Sequence, residues 1–172
     1  MDALRMWQHL VQENSPVTAH AVDDYRKAIE LGLAGRWNEA EAVLEASREP
    51  LEKAEAPEAA AANHNLAALR QERGDLEGAV FHSVRAVFLY NRFADLGGLY
   101  ASLRNLAVIH TSRGETHLAT AAQHQAARAR RELIARGLLS QAESGCDAAG
   151  EELKILSLSA ALVAPMAVSE AV

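Results

Sequence analysis

Apolar residues along this chain recur three and four positions apart, the spacing that gathers side chains on one face of a helix. Leu99, Leu103, Leu106 and His110 form one such stripe. Ala40, Val43, Leu44, Ser47 and Leu51 form another, and Val80, Ala86, Val87, Tyr90 and Phe93 a third. The breaks between stripes carry helix-ending signals. Gly74, Gly114 and Gly137 sit where glycine can take the left-handed conformation that closes a helix. Asp75 is placed to cap the helix that follows, and Glu115 with Thr116 to do so less cleanly. Ser15-Pro16 reads as a helix start, Pro50 as a kink or stop, and Pro57 as the opening of the next helix. Residues 49–58, with two prolines and four glutamates, read as an acidic connector, and Asp95 with Gly97-Gly98 as a turn.

The pattern repeats. Asn65-Leu66-Ala67 returns forty residues later as Asn105-Leu106-Ala107, Gly74 as Gly114, and Ala79 and Ala86 as Ala119 and Ala126. A period of this size marks a repeat architecture. Seven residues make two helical turns, so Ala79 and Ala86 share a face, as do Ala119 and Ala126. Small residues there let two antiparallel helices approach closely. A fainter copy lies upstream, where Gly35 carries Ala28, Ala40 and Ser47 at matching offsets, but Arg26-Lys27 stands in place of Asn-Leu.

On these residues the chain resembles the tetratricopeptide repeat superfamily. NLAALRQERGDLEGAVFHSVRA and NLAVIHTSRGETHLATAAQHQA are similar to its units, and AIELGLAGRWNEAEAVLEAS to a degenerate one. The usual unit is about 34 residues, so the longer spacing resembles the variants with extended helices. The resemblance implies an all-α fold: a right-handed α-solenoid of antiparallel helical hairpins, about three repeats, with terminal capping helices. The expected organisation is an N-terminal helix over 1–16 and a repeat domain over 17–136, divided near 17–56, 57–95 and 96–136, with a loop and apolar tail over 137–172.

The two ends carry their own signals. In Met1 to Asn14, Leu4, Trp7 and Leu10 or Val11 share a face, which suits a cap over the open end of the repeats or a detachable docking helix anchored by Trp7. The first ten residues lack the apolar core of a signal peptide. Residues 155–168, ILSLSAALVAPMAV, carry no charge and are broken by Pro165. A membrane span needs about 20 residues, so this segment is too short for one. As a helix it could cap the repeats, and Lys154 to Ser159 alternates enough for a strand. An exposed segment of this kind invites aggregation, so it is expected to be buried on this chain or on a neighbouring copy.

Charge and composition narrow the function. A formal charge of −6 and a pI near 5.6 argue against nucleic acid as a partner. The island Arg128, Arg130, Arg131 and Arg136 reads as a cationic helix end complementing its own dipole. The single Cys146 excludes an internal disulfide and fits the cytoplasm. His110, His117 and His124 are spaced seven apart, but Gly114 separates the first from the others. The last two lie about 10 Å apart along a helix, too far to share an ion unaided. No metal or other cofactor is expected. Phosphate-binding and nucleophile motifs are absent, so the chain reads as no enzyme.

What remains is a surface. In extended-helix tetratricopeptide proteins the asparagine before the leucine commonly faces a concave groove and holds a peptide main chain; the resemblance assigns that role to Asn65 and Asn105. Neighbouring positions then add His64, Ala68 and Gln71, Arg104, Val108 and Thr111, with Tyr25 and Ile29 from the first unit. An amide offers donors and an acceptor together, which suits a peptide group. In the competing reading these asparagines bond between their own helices. The expected function is a non-catalytic adaptor for a protein or peptide partner, with groove asparagines solvated in the free protein. The alternative is a self-assembling subunit, a homo-oligomer whose tail or N-terminal helix docks on a neighbouring copy.

Overall fold

The computed structural model describes residues 16–139, and the two terminal segments discussed above, including the 1–14 stripe and the 155–168 tail, lie outside the described residues. Six helices follow one another: α1 (Pro16–Leu33), α2 (Trp37–Lys53), α3 (Glu58–Glu72), α4 (Leu76–Arg92), α5 (Leu96–Ser112) and α6 (Thr116–Ala135). The described residues are all-α, with no strand.

All six helices stop in the same way. Two residues beyond each lies one with positive φ: Gly35, Glu55, Gly74, Ala94, Gly114 and Gly137. The next amide then reaches back to the carbonyl five residues earlier, as in Asp75 N to Arg70 O at 2.9 Å and Asp95 N to Tyr90 O at 3.0 Å. This satisfies carbonyls that a helix end otherwise leaves bare. The glycines expected to end helices do so. Glu55 and Ala94 take the same conformation with a side chain present, at a cost of roughly 1 kcal/mol each.

Starts are less uniform. Asp75 and Asp95 each accept from the amide three residues on, Gly78 N and Gly98 N, both at 2.9 Å. Asp95 is thus a cap, and Gly97-Gly98 lies in the first turn of α5 and not in the turn before it. Glu115 makes no such cap bond. Its carboxylate is held instead by His110 Nδ1 at 2.6 Å and by Arg113, which lower its pKa.

The acidic connector also needs correction. Pro50 lies inside α2, which runs on to Lys53. Proline removes one helical hydrogen bond, but the extra turn brings Leu51 into full burial and Glu52 into a bonding network. Glu52 accepts from Arg85 Nη2 at 2.6 Å and from Asn63 Nδ2 at 2.9 Å. Burial raises its pKa, and the bonds from Arg85 and Asn63 outweigh that and hold it below the usual carboxylate range. The true link to α3 is only residues 54–57, with Ala54 and Ala56 buried.

The helices pack in adjacent pairs, α1 on α2, α3 on α4 and α5 on α6, and each pair meets the next through α2 with α3 and α4 with α5. Ala79, Ala86, Ala119 and Ala126 are all buried at these contacts. The main core joins Tyr25, Leu44, Leu51, Leu66, Leu89 and Tyr90, and a smaller one holds Leu106, Ala107 and Ala122. α3 sits between the first pair and the third, so it is buried all round from Ala59 to Leu69. Such a helix needs no polar face, which is why it reads as alanine-rich with little stripe.

Candidate functional site

The ten residues assigned to a groove separate into three groups by burial. Tyr25, His64, Asn65, Ala68 and Asn105 are buried, Ile29, Gln71 and Val108 are half-buried, and Arg104 and Thr111 are exposed. The expectation of solvated asparagines is therefore corrected: Asn65 is 1% exposed and Asn105 3%.

The cause is packing between successive helices. Asn65 forms a side-chain hydrogen bond with the Tyr25 hydroxyl. Burial, with the nearby charge of Glu58, pushes the Tyr25 pKa well above the usual phenol range despite that bond. His64 Nδ1 lies 2.9 Å from Ser102 Oγ, tying α3 to α5. Burial depresses the His64 pKa to about 4, so the ring is neutral at physiological pH. Asn63 donates to the Ala59 carbonyl, and its Oδ1 lies 3.1 Å from His82 Nδ1. These polar groups of α3 are spent inside the molecule. Asn65 and Asn105 each bury an Nδ2 that has no hydrogen-bond partner of its own among the described residues; Asn65 is set apart only by its bond to Tyr25.

The two exposed residues come together with the half-buried Val108. Arg104, Val108 and Thr111 line one wall of a cleft of about 380 Å³, with Tyr100 and Ala107 also from α5. Gln123, Ala126, Ala127 and Arg130 of α6 form the other wall. Forty residues earlier in sequence these positions are occupied by Ala60, His64, Ala67, Ala68 and Gln71 on α3, and by Ser83, Ala86, Val87 and Tyr90 on α4. That earlier surface is the one on which α5 sits. His64 meets Ser102 there, and the Tyr90 ring lies so close to Gly98 that a Cβ at 98 would fall inside it. The cleft is thus the counterpart, in the last pair, of a surface already shaped to seat a helix.

Sequence reasoning missed Tyr100, Gln123 and Arg130. The signal was available: at the seating positions His64 and Tyr90, the third unit substitutes Arg104 and Arg130.

A second depression lies on the other side of α5. Val84, Val87, Phe88 and Asn91 of α4, Leu96, Leu99 and Leu103 of α5, and Gln125, Arg128, Ala129 and Glu132 of α6 enclose about 830 Å³. Beside it, Phe81, Val84 and Phe88 are each at least half exposed on successive turns of α4. The Arg85 guanidinium stacks over the Phe88 ring, 5.3 Å from its centre.

Other chemistry is sparse. His117 and His124 are exposed on α6 while His110 pairs with Glu115. Among the described residues no group of three or more His, Cys, Asp or Glu side chains could hold a metal ion. No helix there is long and apolar enough to cross a membrane. Compared with protein-family models, curated proteins and solved structures, the chain matches none of them.

Proposed function

We propose that this protein is a non-catalytic protein–protein interaction module of the cytoplasm, a right-handed α-solenoid of tetratricopeptide type. Its working surface is the cleft between α5 and α6. The observation that supports this most directly is the equivalence just described: the cleft repeats, one unit on, a surface that seats a helix. Extended helical stacks use surfaces of this kind to hold partners.

The cleft also suggests what it takes. α5 enters the earlier surface through Gly98 and Ser102, small residues four apart on one face. A partner for the later surface would be a helical segment with small residues at that spacing. Arg104 and Arg130 stand on the two walls, Arg104 over the ring of Tyr100, so reversing both charges alters the cleft on either side of such a segment. Nucleic acid is a poor candidate, because the whole chain carries −6.

A photoreactive side chain placed at Val108, with a control at the exposed Glu77, tests this reading in native cell extract. A protein crosslinked from position 108 and not from 77, and lost on R104E/R130E at unchanged melting temperature, supports the cleft. Equal crosslinking from both positions, or crosslinks that survive the charge reversal, would rule it out.

A further inference from the structure

The groove between α4 and α6 is separate from the proposed partner cleft and has a different chemistry. Its floor is Val87, Leu96, Leu99 and Leu103, and polar groups stand only at its rim: Asn91, Gln125, Arg128 and Glu132. Glu132 is already engaged by Arg136 at 2.8 Å. The groove is continuous with the exposed Phe81, Val84 and Phe88 of α4. Contiguous apolar surface of this kind marks a docking site, and the chain itself carries a matching segment.

We propose that residues 155–168 of this same chain lie in the groove between α4 and α6. Three observations favour that occupant. The segment is uncharged and rich in leucine, alanine and valine, which suits an apolar floor with no charged group to pair. The chain also leaves the described structure beside the groove. Its wall on α6 runs from Gln125 to Glu132, and α6 ends three residues later at Ala135. The other walls meet at that same end, where α4 finishes with Asn91 and Arg92 and α5 begins with Leu96. Finally, the intervening residues 140–154 number fifteen. Fully extended they reach on the order of 50 Å, and the groove wall is about 10 Å long, so the tether imposes no strain. Docking within one chain by such a tether corresponds to an effective concentration in the millimolar range, which favours it over docking on a second copy. The apolar stripe of residues 4–11 is a weaker candidate, because it precedes α1 in the first helix pair.

Hydrogen exchange on the full chain, followed by mass spectrometry, tests the placement. In the unmodified protein the amides of 156–168, apart from proline, should exchange at least tenfold more slowly than in V84D/F88D. Both substituted side chains are half exposed, so amides of α1 to α3 should keep their protection in the variant. The reciprocal variant L158D/L162D leaves the helical pairs untouched. It should speed exchange in the tail and raise the binding of an apolar dye to the uncovered groove. Tail amides that exchange equally fast with and without V84D/F88D would overturn the proposal. So would protection that falls on dilution of the protein, since that outcome places the segment on a neighbouring copy.

Discussion

The second and third helix pairs share one sequence frame and live in different surroundings. Asn65-Leu66-Ala67 and Asn105-Leu106-Ala107 occupy the same place in α3 and α5, yet α3 is buried without interruption from Ala59 to Leu69. α5 leaves Arg104 exposed and Val108 half-buried. The difference comes from neighbours. α3 has α1 and α2 on one side and α4 and α5 on the other, while among the described helices α5 has α3 and α4 behind it and only its own partner α6 beyond. Each described pair supplies a face to the next, and beyond the third pair no further helix lies among the described residues. A repeated motif therefore fixes where a residue stands on its helix. Its burial depends on which unit follows.

The largest test of this contrast is leucine truncation at equivalent positions. Leu66 is fully buried in the main core, whereas Leu106 is 9% exposed in the smaller one. Deleting a buried leucine side chain costs about 2–5 kcal/mol, more where the surroundings cannot collapse. L66A should fall near the upper end and L106A near the lower, read as shifts in urea midpoint. Equal losses would mean that the two pairs are packed alike after all.

A second test uses the buried histidine that only the second pair has at its seating surface. His64 titrates near 4 in the folded protein, against an ordinary value of 6.5. Between those values the unfolded chain binds the extra proton and the folded one does not. Stability then rises with pH across this window and is lost as pH falls through it. From pH 7 to pH 5 the loss from this residue should be roughly 2 kcal/mol. His82 is also depressed by burial and adds to the trend in the same direction. H64Q should therefore flatten the dependence without abolishing it. The third pair carries Arg104 at the matching position and contributes no such titration. A pH profile unchanged by H64Q would show that the ring is not held dry between α3 and α5.

These contrasts also mark how far the sequence could be read. Glycines at 35, 74, 114 and 137 are legible helix ends, because positive φ is costly for other residues. Glu55 and Ala94 do the same work with no such signature, so the sequence marks neither the short link at 54–57 nor the turn that precedes Asp95. Pro50 was misleading for a related reason: the local penalty for proline is outweighed by burial of Leu51 and the bonds to Glu52, both of which are non-local. The same holds for the candidate site. The helix face of Arg104, Val108 and Thr111 follows from periodicity alone. That the neighbouring Asn65 is closed over by Tyr25 depends on the packing of α1 against α3, which no spacing within one helix encodes.

The smallest effect is also the sharpest comparison, because it sets the two motif asparagines against each other. Asn65 bonds to the buried hydroxyl of Tyr25, so N65A leaves that hydroxyl without its partner in a dry site. An unpaired buried polar group costs about 1–3 kcal/mol, and the loss here should lie at the lower end, near 1 kcal/mol. Asn105 is as deeply buried and its Nδ2, like that of Asn65, has no partner of its own among the described residues, but no hydroxyl depends on it as the one of Tyr25 depends on Asn65. Removing a buried polar group that makes no bond is nearly neutral, so N105A should shift stability by less than about 0.5 kcal/mol. Thermal melts of the two variants, run side by side, decide the matter. If N105A proved as damaging as N65A, both amides would be structural ties. If N65A proved silent, the Tyr25 contact would not be what holds α1 on α3.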